Sequence, residues 1–158
     1  MSAITLDQAN QVIAAILKRG AEVECRPLSV IVVEPGCKVK AFQKEDGSSM
    51  IRFEMAFGKA YAALALGRSS KLVRIRADER PIFMRFLLSA TDDQIFPEGG
   101  GLQIRNEDGD VIGAVGVTGD TEDKDEELAT YGIRAAGLKL DEDFKDMGRR
   151  SGVRLTNI

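Results

Sequence analysis

The chain has 158 residues, with a hydrophobic fraction of 44% and a charged fraction of 30%, which is enough length for one domain with a sizeable core. A formal net charge of -3 with scattered basic residues gives no reason to expect nucleic acid, and no apolar run approaches the ~20 residues of a membrane span. The sequence has no His, which removes the commonest general base and the commonest ligand for zinc or haem iron.

The N-terminal stretch MSAITLDQAN lacks the charged-then-apolar layout of a secretory signal, so a cytoplasmic location is expected. Thr5–Arg19 reads as an amphipathic helix. Thr5 with Gln8 fits a capping box, and Leu6, Ala9, Val12, Ile13, Ile16 and Leu17 recur at helical spacing. Gly20 is placed to stop that helix. Leu28–Val33 is apolar and β-branched, Glu34-Pro35-Gly36 is a turn signal, and Val39–Phe42 resumes a strand. This is a hairpin whose sheet should be covered by helices on both faces. Cys25 and Cys37 lie in or beside these strands and are expected as two free thiols.

After the loop EDGSS, with Ser48 or Ser49 as N-cap, Ile51–Gly67 is an Ala-rich helix closed by its glycine. Ser69-Ser70 caps a short helix through about Arg76, and Pro81 opens a strongly apolar, buried helix Ile82–Ala90. Gln94–Phe96 is a candidate short extra strand. Leu102–Arg105 and Val111–Val117 form a second hairpin around Asp108-Gly109, and Gly113 and Gly116 within it mark a bulge or a close approach. The last helix runs from Thr121 to about Leu138 with Leu128, Tyr131, Ala135 and Leu138 as its apolar stripe. The order, helix-strand-strand-helix-helix-helix-strand-strand-helix, argues for α+β with one antiparallel sheet. One domain over residues 1–140 with a polar tail over 141–158 is the expected organisation.

Three constellations bear on chemistry. Asp120, Glu122, Asp123, Asp125 and Glu126 crowd the start of the last helix. Their spacing favours capping, with Asp120 or Thr121 as cap, over a cation site, and it does not match a calcium loop. No metal ligand set is assigned. Glu98-Gly99-Gly100-Gly101 serves equally as a turn or as a flexible pocket rim offering backbone amides. Arg52, Ala56, Lys59 and Ala63 share one helix face. Periodicity alone favours a solvated face with both cations free or paired with Glu54 or Glu45. A desolvated Lys59 would instead serve as a base or Schiff-base amine. Haem would need Tyr61, Tyr131, Cys25, Cys37 or a Met as its axial ligand, and covalent c-type attachment is excluded.

The stretches LSVIVVEPGCKVKAFQKEDGSS, GKAYAALALGRSS and PEGGGLQIRNEDGDVIGAVGVTGDTEDKDEELATYGI resemble the GlcG/HbpS family over about Leu6–Leu138. That family includes glycolate-operon proteins, a secreted haem-binding regulator and the C-terminal domain of PduO-type adenosyltransferases. The resemblance implies a profilin-like α+β fold, a five-stranded antiparallel sheet with helices packed on it, assembled as a homo-oligomer. It carries over Lys59, Gly99–Gly101, Asp120, Asp125 and Glu126 as motif positions. It also implies a small metabolite ligand. Haem-binding relatives of the PduO type use a His ligand that this chain lacks, so haem here would require a non-His ligand.

Three readings follow. The first is a small-molecule-binding or accessory protein whose ligand is a small organic acid or planar cofactor, touched by Glu98, Gly99, Gly100, Gly101, Thr118 and Asp120. The second is an enzyme acting on a small hydroxy, oxo or aromatic acid. Arg52 would hold the carboxylate, Lys59 would be base or electrophile, and Asp125 or Glu126 would move a proton. The third is haem binding through a non-His ligand.

Overall fold

The computed structural model describes residues 2–145. Helices α1 (Leu6–Glu22), α2 (Arg52–Leu66), α3 (Ser70–Glu79), α4 (Pro81–Ala90) and α5 (Glu122–Ala135) alternate with strands β1 (Ser29–Val33), β2 (Val39–Lys44), β3 (Gly101–Arg105) and β4 (Val111–Thr118) in the expected order. The fold is α+β. The strands form one antiparallel sheet in the order β2-β1-β4-β3, so β1 and β4, distant in sequence, pair at its centre. No helix among the described residues is long and apolar enough to cross a membrane.

The β1 run is buried on every residue because helices cover both faces of the sheet. Alternation sends Val30 and Val32 into the larger core with Val115, Val117 and the apolar sides of α1 and α5. It sends Ile31 and Val33 against Ala56 and Ala60 of α2. On that second face the cross-strand pair Gly101 and Gly116 leaves no side chains, and α2 settles close to the sheet. A Cβ at Gly116 would overlap the carbonyl oxygen of Ala56, and one at Gly101 that of Lys59, one helical turn on. α3 and α4 pack on the far side of α2 around Val73 and Met84.

Among the described residues the sheet has four strands, where five were expected. Gln94–Phe96 is a loop, because the Phe96 N–H donates to the Gly58 carbonyl of α2 at 3.1 Å. Gly58 leaves that loop room to lie on the helix. On the outer edge of β3, Arg105 and Lys139 form only an isolated antiparallel bridge.

Other local expectations change for identifiable reasons. Thr5 and Gln8 form the capping box, but Gly20 lies inside α1, where any Cβ would meet Leu28. Neither Ser48 nor Ser49 caps α2 through its side chain, and the Ser48 hydroxyl turns toward the Leu28 carbonyl. Ser69 caps α3, and Gly67 ends α2 in the left-handed region at φ 63°. Of α4 only Met84 is buried, while Ile82 and Phe86 face outward at 84% and 67% exposure. The buried stripe of α5 is Leu128, Ala129, Gly132 and Ile133, with Tyr131 and Ala135 outside it. It is turned because Gly132 sits against Ile16 and Val12 of α1. The expected tail begins as a fastened 3-10 turn, Asp141–Phe144. Asp141 accepts from Arg105 and Gln103, and Arg134 donates to Glu142 and Asp143. The rest of that tail, residues 146–158, lies outside the described residues.

Candidate functional site

Lys59 is the largest fully buried side chain in the protein's described residues, at 1% exposure. The face it shares with Ala56 and Ala63 is core and not solvated surface, because the paired glycines of β3 and β4 admit α2 against the sheet. The Nζ donates to Asp125 Oδ2 at 3.0 Å and to the Val117 carbonyl at 2.9 Å. It lies 5.9 Å from the centre of the Phe96 ring, within cation–π range. Asp125 is equally enclosed, and its other oxygen accepts from the Asp120 N–H at 3.1 Å. One buried ion pair thus joins α2, the end of β4 and the first turn of α5. Burial pushes the Asp125 carboxyl above its ordinary range, against the pull of the Lys59 ammonium.

The glycine loop is tied to the same corner. Gly99 N–H donates to Glu122 Oε2 at 3.0 Å, and Gly101 N–H donates to Ser70 Oγ at 2.7 Å. Ser70 in turn donates to the Glu98 carbonyl at 2.6 Å. Two amides of the expected anion rim are therefore already bonded to side chains. Gly100, at φ 125°, needs to be glycine, and a Cβ there would also overlap the Val117 carbonyl.

Asp120 accepts from the Arg26 and Thr121 N–H groups, which hold its carboxyl below the usual range. Thr121, not Asp120, caps α5. Glu126 stands at the rim, 3.7 Å from Lys71, and burial raises its pKa. Arg52, at the start of α2, is half-buried and donates to Thr118 Oγ1 at 2.8 Å. It has no carboxylate partner among the described residues, so the expected pairing with Glu54 or Glu45 does not form; Glu45 accepts instead from the Leu28 N–H. The corner therefore has Lys59 and Asp125 inside it, Arg52 and Thr118 on the α2 side, the glycine loop and Asp120 beside it, and Glu126 at its edge, with Glu98 present through its carbonyl. Ser70 was legible only as part of a cap signal. Ser29 and Lys44, in register with Thr118 across β1, carried no sequence signal of a site.

A shallow depression of about 440 Å³ lined by Ser2, Pro35, Asp110 and Val111 lies at the opposite end of β4 and includes none of these residues. Among the described residues no group of three or more Cys, Asp or Glu is arranged to hold a metal ion. Cys25 and Cys37 are free, as expected, and burial raises both thiols, Cys37 to about 11. Cys37 is thus protonated at neutral pH and a poor thiolate donor. Iodoacetamide at pH 8 should leave it largely unmodified in peptide mass spectra, with labelling rising only as pH approaches about 11. Rapid labelling at pH 8 would contradict this. Tyr131 is exposed beneath Arg19, and Tyr61 closes a row of rings with Phe57, Phe53 and Phe42. The chain has no imidazole and burial raises both thiols, so the phenols of Tyr61 and Tyr131 and the methionines are what remains to ligate a haem iron.

Residues 4–134 match a family model described as haem degrading protein HbpS-like. The crystal structure of Klebsiella pneumoniae protein ORFY is 26% identical, with 87% of this chain and 92% of that one covered at a TM-score of 0.77. A PduOC:heme complex is 20% identical, with 87% and 98% covered at 0.78. A double mutant of Streptomyces reticuli HbpS is 21% identical, with 85% and 87% covered at 0.73. At these last two identities the likeness is one of fold. No curated protein matches the chain.

Proposed function

The chain belongs to the HbpS-like family of haem degrading proteins, and from that premise we propose that it is a small-molecule-binding protein whose ligand is a small organic acid seated by its carboxylate on Arg52 and Thr118. The observation that carries this reading is the Arg52 guanidinium. It is half-buried, bonded to a neutral hydroxyl, and without an acidic partner among the described residues. An arginine held in that way is prepared for a planar two-oxygen anion. Lys59 serves this site as a clamp and not as a base, since its donors are directed at Val117 and Asp125 away from solvent. The enzyme reading, with Lys59 as base or electrophile and Asp125 or Glu126 moving a proton, would need that clamp to open.

A planar cofactor is the second reading. The ring row Phe42, Phe53 and Phe57 favours it, with Phe53 partly exposed, as does the haem named for the PduOC neighbour. The profilin-like label, one domain over 1–140 and a cytoplasmic homo-oligomer complete the proposal. The outward apolar side chains of α4 support assembly.

Calorimetric titration with short carboxylic acids tests the first reading, with haemin as the competing probe. The expected result is saturable binding of an acid, weakened roughly tenfold or more by Arg52→Ala. Binding of haemin alone, or acid binding indifferent to Arg52→Ala, would overturn it.

A further inference from the structure

The face of the sheet that α2 covers changes character in a single row. One row is apolar across three strands, with Phe42, Ile31 and Gly116 in register. The next is polar across the same strands, with Lys44, Ser29 and Thr118 in register. Side chains two apart on a strand share a face, so this row lies on the α2 side, where Arg52 meets Thr118. Directly paired residues stand roughly 5 Å apart at their Cβ atoms, which makes Ser29 and Thr118 neighbours across the two strands.

Ser29 is the anomaly. Its side chain is fully buried, and its Oγ has no hydrogen-bond partner. A buried hydroxyl without a partner is costly and calls for an explanation, and a bound group that completes it is one. Thr118 beside it has a partner, and that partner is the unpaired guanidinium. Lys44, at the exposed end of the row, also has no acidic partner among the described residues and adds positive potential at the mouth.

We propose that Ser29 is the specificity-determining residue of this seat, and that the ligand class is a short carboxylic acid bearing an oxygen on the carbon next to its carboxylate. This rests on the carboxylate reading given above. The carboxylate takes the Arg52 guanidinium, which gives up only a neutral hydroxyl and a weak contact to the Met55 sulfur. As the guanidinium turns to the carboxylate, the neighbouring oxygen bonds Ser29 Oγ, which can donate or accept. An acid lacking that oxygen leaves Ser29 unsatisfied, and a site built to bond an oxygen discriminates strongly against its absence.

The test compares L-lactate with propionate, which differ by that one hydroxyl, on the native protein and on Ser29→Ala. The native protein should prefer lactate at least about tenfold. In Ser29→Ala the preference should fall to about one while propionate affinity is retained. Equal native affinities, or a lactate preference that survives Ser29→Ala, would overturn the role of Ser29 and leave the Arg52 reading standing. Binding of neither acid would remove the Arg52 reading and this inference with it. Ser29→Ala takes away an unpartnered atom and creates no clash, and equal native affinities would overturn the proposal even if the variant expresses poorly.

Discussion

Lys59→Met should cost about 3–5 kcal/mol of stability at pH 7, the penalty for leaving a buried charge without its partner. In a chain of this length that lowers the melting temperature by roughly 6–20 °C. The methionine fills much of the same volume, so the loss reports charge and not a cavity. Asp125 is the group left behind, enclosed and with only the Asp120 N–H to satisfy it. Burial already lifts its pKa, and without Lys59 the lift is greater. A carboxyl with a raised folded pKa contributes stability that is full below its unfolded pKa and is lost as pH rises through the folded value. The deficit of Lys59→Met should therefore be largest at neutral pH and shrink on acidification. The native protein closes the gap further, because protonating Asp125 leaves its Lys59 ammonium unpaired. Lys59→Met combined with Asp125→Asn should recover more than half of the loss, since the amide oxygen can still accept from Asp120. Urea unfolding of the native protein, Lys59→Met, Asp125→Asn and the double variant at pH 4 and pH 7 measures this, and a double variant no better than Lys59→Met would show that the pair is not coupled.

Gly116→Ala should cost about 3 kcal/mol, toward the upper end for overpacking. The added carbon would overlap the Ala56 carbonyl oxygen, part of a helix backbone that has no rotamer to change. α2 would have to lift from β4, and every contact of its inner face would loosen with it. Gly36→Ala, with nothing near its Cβ, is the control and should unfold with native stability. A Gly116→Ala protein matching that control in thermal unfolding would refute the close approach of helix and sheet.

Much of the fold is written locally. The Thr5–Gln8 capping box, the two hairpins, the Gly67 stop and Pro81 at the first turn of α4 all depend on residues within a few positions of one another. The failures are long-range. Gly20 reads as a stop because nothing near it in sequence reveals Leu28 packed against it. The apolar α4 reads as core because composition does not say which side of α2 it will meet. The stripe of α5 is turned by the fit of Gly132 onto α1.

The site divides in the same way. Arg52 and Lys59 were legible as cations on an Ala-lined face, while Asp125 read with its neighbours as a cap acid and the glycine loop equally as a turn. Burial of Lys59 was not legible, since it follows from two glycines more than forty residues downstream. Ser29 became visible only once register set it beside Thr118.

The strand order β2-β1-β4-β3 has a consequence for how the chain comes off the ribosome. When β1 and β2 have emerged, one edge of β1 is open, and it stays open until Val111–Thr118 arrives. The open segment, SVIVV, is β-branched and uncharged, the kind of edge that recruits other chains. Folding to completion waits on contacts such as that of residue 59 with residue 125, separated by 66 positions, and high separation slows folding. For the nascent protein the vulnerable interval is thus the synthesis of its middle third, and slower translation there would lengthen the exposure.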